Sequence, residues 1–358
     1  MYDLIIIGGG PAGTAAAITS ARSGARVLIL EQGRFPRHKV CGEFVSAESL
    51  SLLKSLLPDT RLVDHAPRIP AARIFLDGRQ LYARIHPPAA SISRFDLDLA
   101  LWRAAEQAGA EARLQTPVQR LSGNGPFVLE APGAAFEGRS VINASGRWST
   151  LSPRLASPQK WLGIKAHFHE PSPPCSVDLY FVKSGYCGVQ PLGPDLINVS
   201  AMVRAEAATT LPDILSLHPA LAARSRCWRP ATEPVATSPL FLRRPEPLRG
   251  HILLAGDAAG FVDPFVGDGI ALALRTGAAA TQSLLPFLRG EASLPTAGLA
   301  YQRLYQQNFL PIFSNAARYR RLLRLPGAVR APFVRLLART GLPAFVVRST
   351  RGATAASE

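Results

Sequence analysis

The chain has 358 residues, 47% hydrophobic and 18% charged, which is enough for a large buried core and for two domains or one large composite domain. No run reaches the ~18 apolar residues that a membrane-spanning helix needs, and only Met1 and Tyr2 precede the first apolar stretch, too little for a secretory signal. The net charge of +15 rests mostly on arginine, lysine standing only at positions 39, 54, 160, 165 and 183; no nucleic-acid-binding module accompanies it, so nucleic acid is not expected as a partner.

In chain order, residues 3–7 (DLIII) form a short apolar run of the kind that makes a buried parallel strand. GGGPAG follows, with Gly8, Gly10 and Gly13 in the spacing G-x-G-x-x-G. Residues 14–23 (TAAAITSARS) then have helical composition, Gly24 ends that helix, and RVLIL (26–30) is a second buried strand. Glu31 closes it, ~20 residues past the glycines, where a dinucleotide-binding unit carries an acid. The first glycine makes the tight turn, the second lets backbone approach a pyrophosphate, and the third lets helix pack closely on strand. The helix N-terminus offers unpaired N–H groups to phosphate, and Glu31 can accept from an adenosine ribose. These features do not separate NAD from FAD.

The loop RFPRHKVCGEF (34–44) holds Lys39, Cys41, Gly42 and Glu43. Lys39 and Glu43 are its candidate acids or bases if buried, against the commoner solvated charge. The four cysteines, Cys41, Cys175, Cys187 and Cys227, have no CxxC or ligand-like spacing. They read as reduced thiols of a cytoplasmic protein, with no metal site and no disulfide framework. A helix opens at Arg94 (RFDLDLALWRAAEQAG), where the guanidinium can pair with phosphate or stay in solvent. EARLQTPV (111–118) is expected as a strand bringing Val118 to its end, and VINAS (141–145) as another apolar strand.

Residues 161–169, 177–182, 186–191 and 196–203 read as strands of an antiparallel sheet, separated by the turn signals PSPP, KSG and LGPD. His167 and His169 share one strand face, with no third ligand in view, and read as ordinary strand residues. LPDILSLHPALAAR (211–224) is expected as a helix, PLFLRRPEPLRG (239–250) as a strand and loop, and HILLAG (251–256) as the last buried parallel strand. GDAAGFVDPFVGDGI (256–270) then places three aspartates and four glycines ahead of an apolar helix starting near 269. By itself it could be a turn capping an ordinary helix. From Arg318 onward there are nine arginines and one acid, Glu358, with apolar residues at helical spacing (Ile312, Ala316, Tyr319, Leu323; Val329, Phe333, Leu336, Leu337) cut by Pro326, Pro332 and Pro343. Terminal helices packed on the core, arginines outward, are the first reading; peripheral contact with an anionic membrane is the second.

GGGPAG with Glu31, RFPRHKVCGEF, SRFDLDLAL (93–101) and GDAAGFVDPFVGDGI, in that order, resemble the para-hydroxybenzoate hydroxylase superfamily of FAD enzymes. The branch most similar by motif is the geranylgeranyl reductase family. The resemblance runs from Met1 to about Gly277. It implies FAD as cofactor, held by Gly8, Gly10, Ala12, Gly13, Glu31, Cys41, Gly42, Arg94, Val118, Asp257, Gly269 and Ile270. Asp257 would bond the ribityl chain, and the backbone N–H groups of Gly269 and Ile270 the flavin pyrimidine edge. Cys41 would lie near flavin and substrate, and Tyr186, in GYCGVQP (185–191), is the second catalytic candidate.

The sequence departs from the family at two places. Ser145 stands where the aromatic hydroxylases carry an aspartate that helps bind FAD and nicotinamide. Gly188 and Gln190 stand where the reductase segment Tyr-x-Trp-x-Phe-Pro has its tryptophan and phenylalanine, although Tyr186 and Pro191 are kept. The halogenase signature Trp-x-Trp-x-Ile-Pro is absent there too.

The expected fold is α/β: a Rossmann-like FAD domain (residues 1–65, 91–155 and 250–290), an interleaved antiparallel substrate domain (66–90 and 156–249) and a basic helical C-terminal region (291–358). The expected function is reduction of a carbon–carbon double bond in a hydrophobic isoprenoid- or polyketide-like substrate, with NAD(P)H or a reduced partner protein as electron donor. The alternative is an FAD-dependent monooxygenase that hydroxylates an aromatic or polyketide substrate. A non-catalytic protein with a degenerate nucleotide fold is opposed by the intact flavin motifs.

Overall fold

The structure is a computed structural model that describes residues 1–147, 151, 160–237, 240–242, 244–327, 329, 330 and 332. In chain order the elements are β1 (Tyr2–Ile7), α1 (Pro11–Arg22), β2 (Val27–Leu30), β3 (Phe44–Val45), α2 (Leu50–Leu56), α3 (Arg61–Asp64), β4 (Arg68–Leu76), β5 (Arg79–Ser91) and α4 (Arg94–Gln107). There follow β6 (Glu111–Arg113), β7 (Arg120–Gly123), β8 (Phe127–Ala131), β9 (Ala134–Asn143), β10 (Trp161–His169), β11 (Val177–Val182), β12 (Gly185–Pro191) and β13 (Leu196–Arg204). The remainder comprises α5 (Leu211–Ser216), α6 (Pro219–Arg224), β14 (Arg229–Pro230), β15 (Val235–Thr237), β16 (Leu248–Arg249), β17 (Ile252–Leu254), α7 (Gly269–Leu288), α8 (Leu294–Asn308) and α9 (Leu310–Leu323).

The first sheet runs β16-β17-β9-β1-β2-β6, and the β7–β8 hairpin pairs onto β9. Its four central pairings are parallel. Leu4, Ile5 and Ile6 and all of β2 are buried, as covered parallel strands require. Helices α1 and α7 pack with backbones nearly touching: a Cβ on Gly277 would lie 2.0 Å from the Ala12 carbonyl oxygen. Ser20 and Thr281 share a hydrogen bond of 3.0 Å across this contact. The second sheet, β14-β10-β13-β12-β11-β4-β5-β3 with β15 also on β10, is antiparallel except at β11–β4.

Several local expectations change. The strand expected over 111–118 ends at Arg113; Gln115 has φ 53, and Val118 sits in a loop. The helix expected over 211–224 is two short helices, because Pro219 starts a new first turn after His218. No strand forms over 240–242; the nearby strands are β15 and β16, and Leu240 is buried without joining a ladder. The β7–β8 hairpin has no counterpart in the sequence reading. α1 begins at Pro11, three residues earlier than its apolar composition marks, since proline suits a first helical turn.

At the C-terminal side, α8 is tied to the sheet by Tyr301, whose hydroxyl donates to the Leu254 carbonyl at 2.8 Å. α9 buries Ile312 and Ala316, so up to Leu323 the helices pack on the core. Phe333, Leu336, Leu337, Pro343 and the arginines beyond them lie outside the described residues, as does Trp148. No described helix is long and apolar enough to cross a membrane.

Candidate active site

The carboxyl ends of β1, β2, β9 and β17 converge on one cleft of about 620 Å³, closed on its other side by β10 and β13. Parallel strands leave a crevice at this end, where helix N-termini and loops meet. Gly8, Gly10, Ala12, Glu31, Cys41, Gly42, Arg94, Val118, Tyr186, Asp257, Gly269 and Ile270 all line it. Gly13 does not. It stands behind the loop, where a Cβ would come within 1.8 Å of the Gly8 carbonyl oxygen. Gly8 itself has φ +102, and a Cβ there would strike the Ala144 carbonyl oxygen at 2.4 Å.

The cleft fits FAD on its own chemistry. Two helix N-termini, those of α1 and α7, open on the same void, and neither cap residue closes its helix with a side-chain hydrogen bond. Such ends favour phosphate and other negative charge. A Cβ on Gly10 or Gly269 would meet no protein atom within 4 Å, so both backbones are bare toward open space. Glu31 is held in place rather than free: its oxygens accept from Gly9 N at 2.8 Å and Gly33 N at 2.7 Å, and Arg37 lies 2.9 Å away. Burial pushes its carboxyl up, but the Arg37 charge and the two backbone donors outweigh burial and hold it below the usual range.

Other cleft residues have partners within the chain. Arg94 forms a two-pronged pair with Asp98, at 2.6 and 2.7 Å. Asp257 faces Arg147 at 3.4 Å, and that guanidinium lies 4.1 Å over the Phe261 ring. Ser145 donates from N and Oγ to Asn143 Oδ1, at 3.1 and 2.6 Å, so no carboxylate stands at that point of the cleft.

A second cavity, of about 200 Å³, adjoins the first and shares Gly42, Phe44, Tyr186, Ser200, Pro264 and Gly267 with it. Its walls are mostly aliphatic and aromatic: Ile74, Leu76, Leu81 and Ile85 from β4 and β5, Leu179 and Phe181 from β11, and Tyr319, Leu322 and Leu323 from α9. Gly188 and Gln190, the two departures on β12, also line it. Gly188 leaves room there, since its Cβ would meet nothing nearer than 3.5 Å. Tyr186 stands at the boundary beside Phe265, ring centroids 6.2 Å apart. Burial raises its hydroxyl well above the usual tyrosine range, so it stays protonated.

The sequence reading named Glu43 as a candidate acid or base if buried but missed the charge cluster it forms at the cleft wall with Lys165 and His167. Glu43, fully buried, accepts from Lys165 Nζ at 2.5 Å and meets His167 Nε2 at 2.8 Å. The signal was a lysine and a histidine two apart in the otherwise apolar strand WLGIKAHFH. His169, two residues on, instead faces Asp195 at 3.3 Å near solvent. Among the described residues no three acidic, histidine or cysteine side chains form a metal-binding group, and all four cysteines are unpaired.

A family model described as FAD dependent oxidoreductase matches residues 42–282, and a second model of the same description matches residues 3–45. Menaquinone reductase of Mycolicibacterium smegmatis is 28% identical over 367 residues, covering 90% of this chain and 85% of the relative. A geranylgeranyl bacteriochlorophyll reductase-like protein of Thermoplasma acidophilum superposes with a TM-score of 0.79 at 21% identity, over 98% of this chain and 94% of that one. A flavin-dependent brominase superposes with a TM-score of 0.80, also at 21% identity, over 98% and 93%. At such identities the two structures share the fold. The family model spans most of the chain: the chain belongs to the FAD-dependent oxidoreductase family and is an enzyme that uses FAD.

Proposed function

We propose that the enzyme reduces a carbon–carbon double bond of a hydrophobic isoprenoid- or polyketide-like substrate. The observation that carries this reading is the apolar cavity that shares a wall with the flavin cleft. FAD bound in the cleft would supply the hydride. The chain's own residues then have distinct tasks. The first turn of α1 and Glu31 hold the adenosine and pyrophosphate side. Asp257, which faces Arg147 here, would bond the ribityl chain, and the N–H groups at Gly269 and Ile270 would meet the pyrimidine edge. Arg94 would contact the FAD, and Val118 would meet its adenine side.

Gly42 and Tyr186 line both cleft and cavity, with Cys41 beside them in the cleft, where they would shape the approach of substrate and exclude water. The apolar walls suit a polyprenyl or polyketide chain, which is desolvated on entry. The reductase relatives support the same chemistry. The absence of a carboxylate at Ser145 and of the two tryptophans at 185–191 weighs against hydroxylase- and halogenase-type sites. The electron donor would be NAD(P)H or a reduced partner protein. Cytoplasmic location, with the basic C-terminal region touching an anionic membrane, completes the proposal.

The test is an oxygen-free visible spectrum of the purified, FAD-loaded protein with NADPH and then NADH, followed by turnover of unsaturated polyprenyl compounds. The expected product gains two hydrogens and no oxygen. Incorporation of labelled oxygen would overturn the reading in favour of a monooxygenase.

A further inference from the structure

Gly42 lines both cavities, and the loop that carries it, Cys41–Gly42–Glu43, has a backbone held in a costly shape. Glu43 has φ 59, a left-handed conformation that non-glycine residues rarely adopt. Three elements hold the loop there. Asn198 on β13 donates from Nδ2 to the Cys41 and Gly42 carbonyls, at 3.1 and 2.9 Å. The Arg94 N–H, at the start of α4, donates to Glu43 Oε1 at 2.8 Å. Lys165 and His167, on β10, take the same carboxylate at 2.5 and 2.8 Å. Glu43 and Lys165 are 0% and 1% exposed, so neither charge has water as an alternative partner.

Burial pushes the Glu43 carboxyl up, yet the His167 hydrogen bond and the Lys165 charge outweigh burial and keep it ionised. A buried pair of this kind adds little net stability against an apolar replacement, but losing one partner leaves an uncompensated charge. Its value lies in geometry. The Glu43 N–H also donates to Cys41 Sγ at 3.3 Å, so the carboxylate fixes the residue that in turn sets the thiol.

We propose that Glu43 is a positioning residue: its pair with Lys165 pins the Cys41–Gly42 wall and thereby sets the opening between flavin cleft and substrate cavity. The role rests on reading the cleft as the flavin site. A displacement of ~1 Å in such a wall can cost on the order of a hundredfold in rate.

The experiment needs neither flavin nor substrate for its first readout, so its failure is separable from failure of the reductase reading. FAD-free protein is alkylated with iodoacetamide, and each cysteine is followed by mass spectrometry. Cys175 and Cys227, both exposed, serve as references, and buried Cys187 reports an intact fold. In Glu43→Gln, Cys41 is expected to react about tenfold faster relative to Cys175, with Cys187 still protected. The double variant Glu43→Gln/Lys165→Met, which leaves no unpaired buried charge, should keep Cys187 protected while Cys41 stays fast, because the pin is still missing. In FAD-loaded protein the visible band should shift in the single variant and stay shifted in the double. Unchanged Cys41 reactivity and an unchanged band in Glu43→Gln would overturn the proposal. If that variant exposes Cys187, the double variant decides: Cys41 fast with Cys187 protected supports the role, and Cys41 at its original rate overturns it.

Discussion

Gly10 and Gly13 share one loop and one sequence pattern, yet their surroundings assign them opposite sensitivities. A methyl on Gly13 collides with the Gly8 carbonyl, whereas a methyl on Gly10 projects into open cleft. Gly10 has φ −75, which alanine tolerates. Gly13→Ala is therefore expected to lose about 3 kcal/mol or more of stability and to purify without flavin. Gly10→Ala should keep its unfolding midpoint within about 0.5 kcal/mol and bind FAD about tenfold more weakly. Urea unfolding and flavin fluorescence titration separate the two outcomes; equal behaviour of both variants would contradict the placement of the loop. The glycine spacing was legible in the sequence because each glycine answers a local steric demand. The Glu43–Lys165 pair was not, since its partners are 122 residues apart and each alone looks like a solvated charge or a strand residue.

At the scale of elements, the segment between β17 and α7 carries a titratable group with a defined effect. Asp263 is buried, and burial, against the opposing Arg320 charge, raises its carboxyl from 3.8 to about 6. Between these values the native form binds more proton than the unfolded chain. Its contribution is thus largest at low pH, falls as pH rises through about 4 to 6, and is flat above. The full span is at most about 3 kcal/mol. Asp263→Asn should remove this slope, measured as the wild-type-minus-variant difference in urea stability across pH 4–8; a difference that rises with pH in that window would contradict it. Strand β12 carries a second prediction. Gly188→Trp is expected to fill the apolar cavity and abolish binding of a polyprenyl probe while FAD affinity stays within about twofold of the original. Equal loss of both ligands would mean that the cavity is not a separate subsite.

For the whole molecule, the flavin cleft is built from both sheets: the parallel strand ends on one side, β10 and β13 on the other. A ligand there bridges the sheets, so it stabilises them together. FAD at a free concentration of 100 times its Kd should add about 2.7 kcal/mol and leave a single unfolding transition. Removal of FAD should lower the midpoint by the corresponding amount in calorimetry. Two transitions in the loaded protein, only one of them shifted by FAD, would show that the sheets unfold independently. The C-terminal helices also acquire a role at this scale. α9 packs on the core through Ile312 and Ala316 and presents Tyr319, Leu322 and Leu323 to the apolar cavity.

The sequence by itself determined β1, the glycine loop, α1, β2 and Glu31, the four strands from Trp161 to Arg204 nearly to the residue, and the start of α7 at Gly269. These follow from short-range causes: apolar runs for covered strands, alternation and turn residues for an antiparallel sheet, and glycine where backbone must come close. Only the tertiary structure decided that Leu240 would be buried outside any strand, that residues 211–224 would split at Pro219, and that α9 would wall a cavity rather than simply pack. It also decided that Glu43, Lys165 and His167 would meet under the cleft. Those outcomes depend on which surfaces face one another after the chain has returned to the first sheet, and no local period in the sequence encodes that.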